Sequence, residues 1–113
     1  VFAIAGEGFM GCTKLKIVDT SCPMLSTDNG FKNCAAFDTF ILRSTTLVPL
    51  NKASTYWAFM FNGTPFDDNP VGSGGTVYVP AALISEYQKA TNWSTLYAAG
   101  TCNFVAIEGS EYE

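Results

Sequence analysis

Hydrophobic and polar positions along the chain follow a pattern that recurs at a fixed spacing. The segment that starts at Gly8 (GFMGCTKL) is matched by the segment that starts at Gly30 (GFKNCAAF), with glycine, phenylalanine, cysteine and a large apolar residue 22 positions apart. Val18 and Phe40 extend the match at the same spacing. A unit of this length cannot bury its own apolar face, so the pattern predicts short strands that stack on neighbouring copies in a solenoid.

This period lies within the range of leucine-rich repeats, and residues 1–64 are interpreted as repeats of this kind. Equivalent side chains of stacked repeats form ladders along the axis of a solenoid. A third, degraded copy starts at Phe61 and carries Thr64 where the earlier copies carry cysteine. Three ladders are predicted, which pair Phe9 with Phe31, Cys12 with Cys34 and Leu15 with Phe37.

An insertion interrupts the period before the third copy. The step from Phe31 to Phe61 is longer than the step from Phe9 to Phe31, which places about eight extra residues near positions 47–57. Insertions in solenoids map to loops on one face, and this is often the binding face. The alternative is an enlarged last turn that packs on the end of the domain. The residues predicted to contact a partner are Val48, Leu50, Tyr56, Met60 and Phe66.

Residues 65–113 are predicted to cap the repeats. A glycine-rich loop leads into a strand at 76–79, which Pro80 ends, and residues from about 80 to 91 have the apolar spacing of an amphipathic helix. Trp93 is expected to close the apolar end, and residues 102–107 to form a last strand. The sequence therefore predicts a mainly β fold with one or two short helices, namely a leucine-rich-repeat solenoid with a strand–helix–strand cap.

Charge and hydropathy narrow the range of partners. The chain has 6 basic and 10 acidic residues, a net charge of −4, and the basic residues form no dense run. A nucleic-acid partner is therefore not expected. No apolar run approaches the roughly 20 residues of a membrane-spanning helix, so no membrane insertion is expected. Residues 108–113 are acidic and are predicted to form a solvated tail.

The side-chain inventory argues against catalysis. The chain has no histidine, which excludes Ser-His-Asp and Cys-His nucleophiles and most catalytic zinc sites. The loop at 72–75 lacks the lysine of a phosphate-binding loop. Asp67 and its neighbours 68–69 lack the spacing of a calcium loop and are expected to serve the turn before Pro70. We therefore expect no catalytic residue, no metal and no cofactor; the alternative, a hydrolase, would require paired carboxylates such as Asp19 and Asp38.

The four cysteines, at positions 12, 22, 34 and 102, contain no Cys-x-x-Cys pair, so a zinc site is not expected. Cys12 and Cys34 occupy equivalent repeat positions, where buried free thiols are the preferred interpretation. A disulfide between these two cysteines is also compatible with stacked turns.

The pattern Phe-x-x-Cys-x-x-Leu with this period resembles the BspA-like leucine-rich repeats of bacterial surface proteins. From about Gly8 to the end, the chain is most similar to one branch of that group, found in tail and other structural proteins of phages and prophages of gut bacteria. The segments that carry the resemblance are FKNC at 31–34, FILRSTTLV at 40–48, FNGTP at 61–65, VYVPAAL at 77–83 and NWS at 92–94. Phe37 stands where leucine is usual and Thr64 where cysteine is, which are departures expected of terminal repeats.

The resemblance implies a non-enzymatic structural or attachment protein of a phage virion, located on the virion surface or outside the cell. Its expected partners are other virion or surface proteins, copies of itself, or a host-surface protein or glycan. Because the chain opens within a repeat, it resembles the last part of a longer polypeptide. The alternative function is the binding module of a bacterial surface adhesin that recognises host protein or glycan.

Overall fold

A computed structural model describes residues 3–4, 13–21, 24–25, 34–49, 63–67 and 72–113. The strands are β1 (Ala3–Ile4), β2 (Ile17–Thr20), β3 (Met24–Leu25), β4 (Thr39–Leu42), β5 (Gly75–Val79) and β6 (Cys102–Ala106). A 3₁₀ turn (Ala81–Leu83), helix α1 (Ile84–Lys89) and helix α2 (Trp93–Ala99) lie between β5 and β6.

Four of the strands form one parallel sheet in the order β2-β4-β5-β6. Ile17 lies opposite Thr39 and Val18 opposite Phe40. The separation along the chain between these paired residues equals the period of the sequence repeat. The repeated segments therefore place equivalent residues side by side on neighbouring strands.

The short strands β1 and β3 form a second parallel pair, in which Ala3 lies opposite Met24 and Ile4 opposite Leu25. The separation along the chain between these partners is one position shorter than that between the partners in β2 and β4. Along residues 3–25 the chain thus alternates between the two sheets, entering the smaller sheet, then the larger one, then the smaller one again.

Alternation of side chains gives the larger sheet a buried and an outward face. Val18, Phe40, Val77 and Phe104 occupy the same register position on the four strands, and all four are buried. The β-branched and aromatic residues of these strands suit a half-buried pleated surface. This row forms the centre of the hydrophobic core.

The end of the domain contains two α-helices, α1 and α2, where the predicted strand–helix–strand cap had a single helix. The single helix expected at about 80–91 is a 3₁₀ turn followed by α1, which ends at Lys89. The chain then turns at Asn92, where φ is 69° and ψ is −43° and the Trp93 N–H donates to the Thr91 carbonyl at 2.8 Å, which is the geometry of a γ-turn. Helix α2 follows and ends at Gly100, whose φ of 81° gives the usual left-handed termination.

The described residues therefore form a small α/β domain with a four-stranded parallel sheet and two α-helices. This corrects the mainly β fold class expected from the sequence. The number of α-helices is within the one or two expected, but α2 was not located from the sequence, because it has only seven residues and its buried residues Trp93 and Leu96 give too few turns for a recognisable helical period.

The acidic end of the chain also differs from the solvated tail predicted for residues 108–113. Glu108, Glu111 and Glu113 are exposed, but the backbone makes tight turns in which Ser110 N–H donates to the Ile107 carbonyl at 3.0 Å. The Tyr112 ring then packs edge-on against Tyr78 of β5, with centroids 4.7 Å apart. The apolar part of this segment is thus held against the sheet.

Candidate functional site

The outward side of the sheet presents two rows of side chains. We call this surface the outer face. One row is largely polar, and the other combines an acidic residue, two aliphatic residues and a tyrosine. The outer face consists of Ile17, Thr39, Thr76 and Asn103 in the first row and Asp19, Ile41, Tyr78 and Val105 in the second.

Two ion pairs join β2 to β4 at the rim of the outer face. The Arg43 guanidinium donates to both carboxylate oxygens of Asp19, from Nε to Oδ1 at 2.6 Å and from Nη2 to Oδ2 at 2.9 Å. This hydrogen bonding raises the pKa of Arg43. Lys16 Nζ lies 3.3 Å from Asp38 Oδ2, and the Thr39 hydroxyl donates to Asp38 Oδ1 at 2.9 Å. Both pairs are partly exposed, so they orient charged groups at the surface.

The tyrosine pair near the end of the chain covers part of the same face. Tyr112 reaches Tyr78 by the turns described above, and its pKa is raised by desolvation first and by the nearby Glu111 carboxylate second. Ile41, beside Tyr78 in the row, is 1% exposed although it points outward. The outer face is therefore a packed surface with an ordered aromatic contact.

A shallow cleft of about 300 Å³ opens at the carboxyl ends of the strands. In open parallel sheets this is the edge at which ligands usually bind. Glu108 Oε1 accepts a hydrogen bond from the Ala81 N–H at 2.9 Å, so the acidic wall of the cleft is fixed by the start of the 3₁₀ turn. The cleft is lined by Arg43, Thr45, Pro80, Ile107 and Glu108.

The predicted repeat ladders are visible only in part. Cys34 and Phe37 are fully buried, and Leu15 packs against the core while remaining partly exposed. Their partners Phe9, Cys12 and Phe31 lie outside the described residues. The Cys34 carbonyl accepts from Phe37 N–H and the Thr64 carbonyl from Asp67 N–H, each at 3.1 Å.

Two residues predicted to contact a partner are instead part of the core. Val48 and Phe66 are both fully buried. The Val48 N–H donates to the Tyr87 hydroxyl at 2.9 Å, and the Phe66 ring packs edge-on against Phe37 at 5.2 Å. These two residues are corrected to structural positions, because the cap helices and the repeat turn cover them.

The other predicted contacts, Leu50, Tyr56 and Met60, lie outside the described residues. Val48 lies at the start of the predicted insertion and is bonded to Tyr87 and Trp93 of the cap. At this residue the chain therefore fits the alternative expectation, an enlarged turn that packs on the end of the domain. The Asp67 carboxylate accepts from the Gly63 N–H at 3.1 Å, a turn contact of the kind expected for it.

The outer face itself was not among the predicted contact residues. The sequence contained a signal for it: the repeat period places Asp19 beside Ile41 of the adjacent strand, and Arg43 directly follows that strand. The prediction concentrated on the position where the period breaks.

The carboxylates considered for hydrolysis do not meet. Asp19 lies opposite Ile41, whereas Asp38 precedes Thr39, so the two acids are three register positions apart, about 10 Å along the strands. Each has its own cationic partner. Within the described ranges, no three His, Cys, Asp or Glu side chains are grouped to hold a metal ion. The same residues include no helix long and apolar enough to span a bilayer.

Cys102 is a free cysteine with a strongly raised pKa. It is fully buried on β6, and burial raises the pKa of its thiol to about 12. A thiol with this pKa is protonated at neutral pH and is a poor nucleophile. Cys102 therefore acts as a small apolar core residue.

Comparisons of the chain with models of protein families, with curated proteins and with solved structures found no significant match.

Proposed function

We propose that the chain contains leucine-rich-repeat units of a solenoid and serves as a non-enzymatic structural or attachment module of a phage virion. Its interaction surface would be the outer face together with the adjoining cleft. The virion assignment comes from the sequence resemblance. The surface assignment comes from the geometry of the sheet.

The observation that carries the proposal is the alignment of β2 with β4, in which Val18 lies opposite its repeat equivalent Phe40. In stacked repeat units, the repeat period of the sequence is expected to equal the separation along the chain between residues that pair in the sheet. Further support comes from β1 and β3, which pair in parallel in a second sheet at nearly the same separation along the chain. These two alignments favour a repeat array over a doubly wound α/β domain.

The outer face is suited to binding because its shape is fixed before a partner arrives. Its side chains stand on four hydrogen-bonded strands, and the Asp19–Arg43 and Lys16–Asp38 pairs hold charges at its rim. Because few groups become ordered when a partner binds, the entropic cost of association is low. Ile17, which is 43% exposed, adds apolar area at one end.

A binding role is favoured over catalysis by the chemistry of this surface. The full sequence has no histidine. Asp19 and Asp38 are each engaged by a cation, and the Cys102 thiol is buried. The two carboxylates are thus neutralised by ion pairs on this surface, and the thiol lies in the core, away from it.

The virion proposal is tested by locating the chain. Antibodies raised against the purified domain would be applied to purified phage particles and, in parallel, to the envelope fraction of the host cells. We expect labelling of particles in a fixed copy number, measured by quantitative mass spectrometry of the intact assembly. Labelling of the envelope with none on particles, together with binding to host matrix proteins or glycans, would favour the adhesin alternative and contradict the virion assignment.

The surface assignment is tested by substitutions on the outer face. Ile17→Arg and Thr76→Arg add bulk and charge to it, and Ser85→Arg adds the same charge to an exposed position of α1. We expect the first two variants to lose association with particles and the third to retain it, with all three folded by circular dichroism. Equal retention by all three would contradict the outer face as the interaction surface.

A further inference from the structure

The segment that follows β6 folds back across the outer face. Ile107, directly after β6, donates its N–H to the carbonyl of the last residue of β5 at 2.9 Å, so the chain is fixed to the sheet at this point. At Gly109 φ is 83°, a left-handed conformation that glycine adopts at little cost. The chain turns there and brings Tyr112 against the ring of Tyr78, with centroids 4.7 Å apart. We call residues 109–113 the strap.

The Tyr112 ring covers the middle of the outer face. Desolvation raises the pKa of Tyr112 first and the Glu111 carboxylate second, and the Asp38 carboxylate contributes as well. In the register of β4 and β5, Asp38 lies one position before Thr76, and Tyr78 lies two positions after it. A ring that contacts Tyr78 and is close enough to Asp38 to be affected by its charge lies above Thr76. The strap therefore covers a residue of the proposed interaction surface.

The strap is attached to the rest of the domain by few contacts. Where the structure describes them, its hydrogen bonds join residues no more than three positions apart: the Ser110 N–H and hydroxyl donate to the Ile107 carbonyl, and the Ser110 hydroxyl accepts from the Tyr112 N–H. All residues of the strap are half-buried or exposed, and a Cβ placed on Gly109 would meet no atom within 4 Å. Lifting the strap would therefore break its aromatic contact with the sheet and leave the hydrophobic core closed.

We propose that the strap is an autoinhibitory contact: with Tyr112 on Tyr78 it blocks the outer face, and a partner gains access when the strap lifts about Gly109. The inference rests on the proposed function, because it assigns a regulation to the same face. The apparent affinity of a partner that binds only the open form is reduced in proportion to the fraction of molecules that are open. An aromatic pair is a weak tie compared with a strand ladder, so the closed form is favoured by a modest factor and a partner can displace the strap.

Removal of the tyrosine ring tests the inference. For Tyr112→Ala we expect association with immobilised, purified particles to become about two- to tenfold tighter, because the lost aromatic pair favours the closed form by a factor of this order. Tyr112→Phe keeps the ring and is the matched control, expected to associate as the native chain does. Weaker association of Tyr112→Ala would show that Tyr112 is itself a contact residue and would overturn the proposal, and unchanged association would do the same.

Gly109→Ala tests the same device without altering the tyrosine. A residue with a Cβ is strained at a φ of 83°, so the closed turn is disfavoured and association is again expected to tighten. The ring contact itself is followed without particles by NMR. Tyr112→Ala and Gly109→Ala should both shift the ring protons of Tyr78, and Tyr112→Phe should leave them close to their native positions. Native Tyr78 shifts in both of the first two variants would contradict the closed strap.

Thr76→Arg separates this inference from the proposed function. Loss of association in Thr76→Arg, together with unchanged association in Tyr112→Ala and Gly109→Ala, would overturn the role of the strap alone. Association retained by Thr76→Arg would contradict the outer face as the interaction surface, and with it the strap as its block.

Discussion

The indole Nε1 of Trp93 donates a 2.7 Å hydrogen bond to the main-chain carbonyl of Val48 inside the core. Val48 follows β4 by six residues, and Trp93 starts α2, so this bond fastens the segment after the repeats to the helices that end the domain. The same peptide segment is held from its other side by the Tyr87 hydroxyl, which accepts from the Val48 N–H. One buried residue thus satisfies both of its backbone groups with cap side chains.

Trp93→Phe is expected to destabilise the domain by about 2–4 kcal/mol. The substitution leaves a buried carbonyl without its donor and opens space beside Tyr87, and both effects lower the free energy of unfolding. Urea unfolding followed by circular dichroism measures the change. Tyr97→Phe, at an exposed aromatic of the same helix, is the control and is expected to stay within about 0.5 kcal/mol of the native chain. An equal loss in the two variants would contradict the structural role of Trp93.

Gly75→Ala tests why β5 begins with glycine. A Cβ at Gly75 would lie 2.5 Å from the Phe66 ring and 2.9 Å from the Asp38 carbonyl oxygen. Because Phe66 is buried and Asp38 is held by backbone pairing, we expect a loss of about 1–3 kcal/mol from overpacking. Ser73→Ala, two residues earlier and exposed, should leave the urea midpoint unchanged. A neutral Gly75→Ala would mean that Phe66 has room to move.

The folded protein is expected to lose stability at alkaline pH because the Cys102 thiol is buried. Burial raises the pKa of its thiol from 9.0 to about 12 in the folded protein. A raised pKa contributes stability that is fully present below about pH 9 and is lost as the pH rises towards 12. At about pH 10.5 the loss attributable to this group is about 2 kcal/mol, since each pKa unit corresponds to about 1.4 kcal/mol. Urea midpoints at about pH 8 and pH 10.5 should therefore fall less for Cys102→Ala than for the native chain. If the urea midpoints of the two proteins fall by the same amount, groups other than Cys102 cause the loss of stability at alkaline pH.

The sequence predicted the parts of this fold that repeat. Val18 and Phe40, matched in the sequence, are paired in the sheet, and the strand ended by Pro80 is β5. It did not predict α2, because Trp93 and Leu96 alone do not define a helical period. Nor did it predict the burial of Val48, which depends on Tyr87 and Trp93, residues about 40 positions away. Contacts between distant segments leave no local pattern, and for this reason Val48 was wrongly expected to contact a partner.

Substitutions in the Asp19–Arg43 ion pair are expected to change binding while leaving the stability of the fold nearly unchanged. Arg43 is 36% and Asp19 44% exposed, and an exposed ion pair contributes little to folding because solvent screens it. Arg43→Gln and Asp19→Asn are therefore expected to leave the urea midpoint close to that of the native chain. Arg43 also lines the cleft, so Arg43→Gln should weaken association with particles more than Asp19→Asn does. Arg43→Lys keeps the charge but loses the two-pronged contact with the carboxylate, and we expect an intermediate effect. A variant that unfolds would show that the pair is structural, whereas equal association of all three variants with particles would exclude the cleft from the interaction surface.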